Sequence, residues 1–247
     1  MEKVFVMQNT FQKQSFSCIT DYALEIINAV DLEQITHFFD NLIGDQYLED
    51  NYRFRRLSRF KIDERPCRGS LGKGTREFDN KIVKLPHNYL FQSSDYNPIL
   101  GDVVREYPEI EAELIKQKDF KKIILEFYEF CKLCSQFNEI AVHQIRTITS
   151  ESNIGEPAPE GVHQDGVDLV GIFCVNRENI TGGVTKLSQS KNGSPVLTKI
   201  LNPGEFLVFA DSQFWHYTSP ITTKSTGTGV RDVFVLTCPG LLPPAAK

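Results

Sequence analysis

Near residue 140 the apolar periodicity of this chain changes from helical to strand-like, and that change limits the folds open to it. Downstream, segments 141–149, 167–175, 206–209, 214–218 and 232–237 are rich in Val, Ile, Phe and Thr, residues that suit a pleated surface. Turn chemistry separates them: Gly155-Glu156-Pro157, Gly182-Gly183, Asn192-Gly193 and Asn202-Pro203-Gly204. Segment 167–175 is apolar on both faces, so it needs cover on both sides, as an inner strand of a sandwich does. Upstream, the pattern reads mostly helical. Asp21 is placed to cap a short helix carrying Leu24, Ile26, Ile27 and Val30, and a second helix is expected through Ile35, Phe38, Phe39 and Leu42, ending near Gly44. Asn97-Pro98 leads into another helical segment, with Leu100, Val103 and Val104 apolar. The clearest helix begins near Asp119, where Phe120, Ile123, Ile124, Phe127, Cys131 and Cys134 make one stripe at three- and four-residue spacing. One upstream segment, 51–62, instead alternates aromatic and basic residues as a strand would.

Helices first and strands later imply an α+β chain with a single domain over residues 1–247. In that reading residues 1–140 give mostly helical support packed on one sheet, and 141–240 form a double-stranded β-helix, or jelly roll. A count of 18 Phe implies an aromatic core with room for an apolar pocket. The net charge of −5 offers no general attraction to nucleic acid or to an anionic membrane, so neither partner is expected. The apolar start, Val4-Phe5-Val6, is too short for a signal-peptide core, and no stretch is long enough to cross a bilayer; a cytoplasmic location is expected. Six cysteines include one CxxC, Cys131 and Cys134, with no second pair at zinc-site spacing. They read as small core residues in a reducing compartment.

The chemistry centres on His163-Gln164-Asp165. In an extended segment residues i and i+2 point to the same side, so one imidazole and one carboxylate can converge on an ion. His216, between Trp215 and Tyr217 in a strand-like run, can supply the third ligand. Two histidines and a carboxylate on one face of an octahedral iron leave three positions for a bidentate 2-oxo acid and dioxygen. Arg231 opens the last strong strand; a guanidinium projecting into an apolar barrel needs an anion, and a dicarboxylic co-substrate supplies one. Spacing alone also admits a loop hydrogen-bond pair, a core histidine and a surface ion pair at these positions.

His163-Gln164-Asp165-Gly166, Gly182-Gly183, Phe214-Trp215-His216 with Thr218 and Pro220, and Arg231-Asp232 resemble the bacterial iron(II)/2-oxoglutarate dioxygenases that hydroxylate free amino acids, the L-isoleucine dioxygenase group in particular. Val142-His143-Gln144-Ile145-Arg146, Ser58-Arg59-Phe60 and Tyr96-Asn97-Pro98 also fall where similar residues occur. The resemblance covers roughly residues 50–240. It implies a cupin-like jelly roll with iron(II), 2-oxoglutarate and dioxygen as cofactor and co-substrates. It makes His163, Asp165 and His216 the metal ligands and Arg231 the 2-oxoglutarate anchor. Related halogenases carry a small residue in place of the carboxylate ligand, so Asp165 favours hydroxylation.

Other positions stay open. In a strand His143 cannot share a face with Arg146, whereas Gln144 can. Gln144 and Arg146 are therefore candidates for the co-substrate, with a sheet-edge ion pair as the alternative for Arg146. His143 is a candidate for the substrate. The cluster Arg53, Arg55, Arg56 and Arg59 reads either as a solvated face or, for Arg59, as a partner for a substrate carboxylate. Its aromatic interleaving suits single-stranded nucleic acid, but the acidic balance argues against that. Trp215 reads as core. The expected activity is hydroxylation of an unactivated C–H bond of a free L-amino acid, with release of succinate and carbon dioxide. The alternatives are the same cofactors acting on a peptide, protein side chain or natural product, and a non-enzymatic metal-binding barrel. Homo-oligomerisation is left open.

Overall fold

The computed structural model of the protein describes residues 5–7, 22–26, 30–49, 51–66 and 78–240. Its largest element is an eight-stranded sheet in the order β1 (Phe5–Met7), β2 (Tyr22–Ile26), β10 (Glu205–Ala210), β6 (Leu169–Glu178), β13 (Gly229–Cys238), β5 (Glu139–Thr149), β3 (Arg53–Pro66) and β4 (Phe78–Lys84). Every pairing in it is antiparallel except β1 with β2. The opposing wall is built from two small sheets. One has the order β11 (Trp215–Thr218), β8 (Val184–Ser188), β9 (Pro195–Ile200); the other pairs β12 (Ile221–Thr223) with β7 (Ile180–Gly182).

The two faces of β6 explain its double apolar pattern. Leu169, Phe173 and Val175 join one core cluster, beneath the helices; Val170, Ile172 and Cys174 join another, between the large sheet and the small ones. The first cluster is closed by the helix α3 (Lys118–Cys134), which follows the short α1 (Glu33–Thr36) and α2 (Ala112–Lys116). Phe120 packs edge-on against Phe60 and Phe234, and Phe127 lies against Phe206. Each such fully buried side chain contributes about 2 kcal/mol. The helix can come this close because residue 171 is glycine: a Cβ there would lie 2.8 Å from ring carbons of both Phe127 and Phe206.

The expected mostly helical first half is corrected. Tyr22–Ile26 is a strand, not part of a helix, because it pairs along the edge of β10 from Phe209↔Tyr22 to Glu205↔Ile26. Long-range pairing outweighs local periodicity there. The proposed cap Asp21 and Ile27 lie outside the described residues. Ile35 sits in α1, but Phe38 and Phe39 belong to a 3-10 turn at His37–Phe39, so the second helix is short. The segment after Asn97-Pro98 forms turns, and Val103 and Val104 are exposed rather than stripe-forming. The aromatic-basic segment becomes β3, an inner strand of the large sheet. The stripe of α3 is as expected through Cys131, but Cys134 is only half-buried and takes part in a disulfide, which corrects the reading of the pair as two free core thiols. Cys18 and Cys67 lie outside the described residues. Among the described residues no helix is long and apolar enough to cross a membrane.

Candidate active site

His163 sits at the end of the loop that enters β6, and His216 is the second residue of β11. An isolated antiparallel bridge joins them, and their rings lie 4.1 Å apart. Asp165 follows two residues after His163. Its Oδ1 is 3.7 Å from His163 Nε2 and its Oδ2 3.6 Å from His216 Nε2. One ligand atom from each of the three residues lies within 4.8 Å of the others, which is a spacing that could hold one metal ion. His163 Nδ1–H donates to the Gly161 carbonyl at 2.8 Å, and that bond leaves the Nε2 lone pair for a metal. Burial works against a charge on His163, but the carboxylates of Glu160 and Asp165 outweigh it and raise its pKa. Burial, then the neighbouring His163, hold His216 well below the usual histidine range.

Asp211 shapes the turn beneath this triad. Its carboxylate accepts from the backbone N–H groups of Asp165, Gly166 and Val167, at 2.9, 2.7 and 3.2 Å from Oδ2. Burial and the Asp165 charge push its pKa up to about 7. The turn needs glycine at 166, where φ is +81° and a Cβ would meet the Tyr96 ring at 2.8 Å. The Asp165 carboxylate is aimed in turn by Gln92, whose Nε2 donates to Oδ1 at 2.9 Å. Gln92 is fixed at its other end: its Oε1 accepts from Arg105 Nη2 at 2.6 Å and from Asn97 Nδ2 at 3.3 Å.

The triad opens into a cavity floored by β13, β5 and β3. Alternation selects what faces it. On β13 Arg231, Val233, Val235 and Thr237 line the cavity, while Asp232 and Phe234 face the helices. Arg231 is buried, and its Nε has no hydrogen-bond partner among the described residues. No carboxylate forms an ion pair with it there. Burial lowers its pKa to about 10. A buried guanidinium without a counter-ion is costly, so this side chain is built to receive an anion. Loop 151–162 covers the cavity with Pro157, Ala158, Pro159 and Glu160, and is tied to the small sheet by the bridge Gly155↔Ile221.

His163, Asp165, His216, Arg231 and His143 thus share one cavity. Three other candidates do not. The parity of β5 puts Gln144 and Arg146 on the face of Ile140 and Val142, towards the helices. Gln144 Nε2 donates to the Phe38 carbonyl at 3.1 Å. Arg146 clasps Asp232 through Nε and Nη2, at 2.7 and 2.8 Å, and reaches Asp40. Burial opposes its charge, but Asp232 and then Asp40 more than restore it. The expectation that these two bind co-substrate is corrected: they fasten the sheet to the helical layer. Arg59 is corrected too. It shares the cavity-side face of β3 but lies four residues beyond Arg55, roughly 13 Å along the strand, where it pairs with Glu139 at 2.6 Å. Trp215, expected in the core, is half-buried on the side opposite His216, with Lys191 Nζ 5.4 Å from its ring centre.

Sequence reasoning missed Arg53, Arg55, Arg105, Gln92 and Glu160, all on the cavity wall. Strand parity within 51–62 could have grouped Arg53 with Arg55. Nothing local marks Gln92 or Arg105, which lie in irregular chain.

The model of the family described as 2OG-Fe dioxygenase matches residues 36–237. The 3(1)-hydroxy-L-isoleucine 4-dioxygenase of Pantoea ananatis (strain AJ13355) is 22% identical over 215 residues, 84% of this chain and 80% of that protein. Among solved structures, a bsmA homolog from Methylobium petroleophilum PM1 superposes with a TM-score of 0.78 at 22% identity, over 99% of this chain and 100% of the other. IDO from Bacillus thuringiensis does so with a TM-score of 0.62 at 19% identity, over 83% and 81%. Those two likenesses concern the fold, a mostly antiparallel jelly roll with few helices. With a family model spanning most of its length and a His-Asp-His cluster beside an unpaired buried arginine, the chain belongs to the 2OG-Fe dioxygenases, which use iron(II), 2-oxoglutarate and dioxygen.

Proposed function

We propose that the protein hydroxylates an unactivated C–H bond of a free L-amino acid, with His163, Asp165 and His216 holding the iron and Arg231 pairing with the distal carboxylate of 2-oxoglutarate. The observation that carries the reading is the unpaired, buried Arg231 in the same cavity as the three ligand side chains. When bound, iron and 2-oxoglutarate supply the oxidising chemistry: one oxygen atom ends in succinate and the other in the product hydroxyl. The chain's own contribution is positioning and exclusion of water. Gln92 and the Gly161 carbonyl orient two of the ligands, and loop 151–162 covers the reacting space. No residue is needed as a general base.

A free amino acid suits the charges on the wall. Four arginines line it, and among the described residues its only carboxylates are Glu160 and Asp165. Glu160, whose Oε1 lies 3.2 Å from His163 Nε2, is the one carboxylate outside the triad that an ammonium group would meet; the arginines without a carboxylate partner receive carboxylates. The Pantoea relative is named for action on a hydroxy-L-isoleucine, which agrees with this substrate class. In this reading residues 1–247 act as one domain. The test is a succinate-release screen over the free L-amino acids with iron(II), 2-oxoglutarate and oxygen, with mass spectrometry for a gain of one oxygen atom. Release that no amino acid stimulates would sink the substrate class; absence of 2-oxoglutarate binding would sink the site.

A further inference from the structure

Two strands from Arg231 the cavity wall carries a second concentration of positive charge. Arg53 and Arg55 alternate on the cavity face of β3, across from Thr147 and Ile145 of β5, and Thr147 in turn faces Arg231 on β13. With strands about 4.8 Å apart and about 3.3 Å per residue, the backbones of Arg55 and Arg231 are roughly 12 Å apart. Arg105 comes from the loop above and joins the same wall.

The partners of these three guanidiniums do not balance their charge. Arg53 is neutralised by Asp45, with Nη2 2.8 Å from Oδ2. Arg55 has none: its Nη2 meets His143 Nδ1, its guanidinium stacks 4.5 Å from the Tyr107 ring centre, and its Nε is buried without a partner. Arg105 spends one nitrogen on the neutral Gln92 amide, and its Nε is likewise buried and unpartnered. Both side chains are almost wholly buried, at 7% and 2% exposure. His143 cannot compensate. It lies among the same guanidiniums as a neutral acceptor. Two buried cations that face a cavity, with no carboxylate in ion-pair contact with either among the described residues, favour an anion from outside the chain.

We infer that Arg55 and Arg105, with His143 and Tyr107 behind Arg55, form a second anion site that takes the α-carboxylate of the amino acid substrate. It is separate from the site at Arg231. The inference rests on the proposed function for the identity of its ligand, but the carboxylate chemistry follows from the residues alone.

The experiment is thermal unfolding of the iron- and 2-oxoglutarate-loaded protein without oxygen, so that nothing turns over and Arg231 is occupied. The probes are acetate and L-leucine against acetamide and L-leucinamide at equal ionic strength. A ligand at ten times its Kd raises Tm by roughly 3–5 °C. The carboxylates are expected to give such a rise and the amides not. The rise should vanish in Arg55→Gln and in Arg105→Gln, and return in part in Arg55→Lys. Equal effects of acids and amides, or an undiminished rise in both glutamine variants, overturn the site. If Arg55→Gln does not fold, Arg105→Gln decides alone. Succinate release after oxygen is admitted to parallel samples separates the two claims. A carboxylate-specific rise without release on any amino acid leaves the anion site and removes the proposed activity. Release with no carboxylate-specific rise does the reverse.

Discussion

The backbones of His163 and His216 exchange two hydrogen bonds: each N–H donates to the carbonyl of the other, at 3.0 and 2.9 Å. This narrow pair ties the loop before β6 to β11 and brings both imidazoles to one side of the cavity mouth before any ion is bound. The geometry of the candidate metal site is thus set by main chain, and the side chains need only small adjustments to close on a cation.

Asp165→Ala should therefore remove the metal without unfolding the site. The backbone N–H of residue 165 still donates to Asp211, and the histidine pair does not involve the Asp165 side chain. The expected result is loss of iron binding and succinate release at background, with Tm of the metal-free protein within about 3 °C of the parent, less than about 1 kcal/mol for a chain of this size. A variant that still releases succinate would remove Asp165 from the ligand set.

Arg231 and Arg146 make opposite predictions although both sit near the same strands. Arg231 is a buried cation without a counter-ion, so Arg231→Met should stabilise the ligand-free protein by about 1 kcal/mol or more while raising the KM for 2-oxoglutarate about 100-fold. Arg146→Met strands Asp232, whose side chain is fully buried, and should cost about 3 kcal/mol with the KM for 2-oxoglutarate nearly unchanged. Urea unfolding and initial-rate kinetics read the two effects. A shared KM defect would restore Arg146 to the co-substrate site.

The legible part of this chain is the part whose chemistry is local. His163 and Asp165 are two residues apart in extended chain, and the strand-rich run around His216 and Arg231 announces itself by β-branched and aromatic residues; the structure brings these four side chains to one cavity. What stayed hidden depends on cover. Segment 140–147 carries two apolar and two polar residues on each face, so nothing within it says which face meets α3; the helix takes Ile140 and Val142, and Gln144 and Arg146 go with them. Tyr22–Ile26 has ambiguous short-range periodicity, settled by pairing that includes β10, whose partner residues lie 179 to 187 positions downstream. Arg105 and Gln92 meet across the isolated bridge Leu90↔Arg105, which has no sequence signature.

Gln92 sits between a buried cation and the carboxylate of a candidate metal ligand, so its loss should be felt at the metal. In Gln92→Leu the Asp165 carboxylate loses its only side-chain hydrogen-bond donor among the described residues, and Arg105 loses its acceptor. Second contacts of this kind are worth 10–100-fold in metal affinity. Iron titration monitored by 2-oxoglutarate binding should show a weakening in that range, with the affinity for 2-oxoglutarate at saturating iron changed far less. An unchanged iron affinity would mean that the Asp211-held backbone alone aims Asp165.

His143 supplies a pH signature of the cationic wall. Burial, then Arg55, Arg105 and Arg53, hold its pKa well below the ordinary 6.5, so the native side chain is neutral across the mildly acidic range. In the unfolded chain the same group titrates near its ordinary value. Below that pH the unfolded state binds one proton more than the native state, so stability falls as pH falls; above it His143 contributes no slope. His143→Gln should remove this term, and the difference in unfolding free energy between parent and variant should approach about 1.4 kcal/mol per pH unit on the acid side and flatten above neutrality. Urea unfolding of both proteins at several pH values from about 5 to 7.5 measures it. Parallel curves across that range would mean that the native histidine takes up its proton as the unfolded one does, and that the guanidiniums around it are already neutralised.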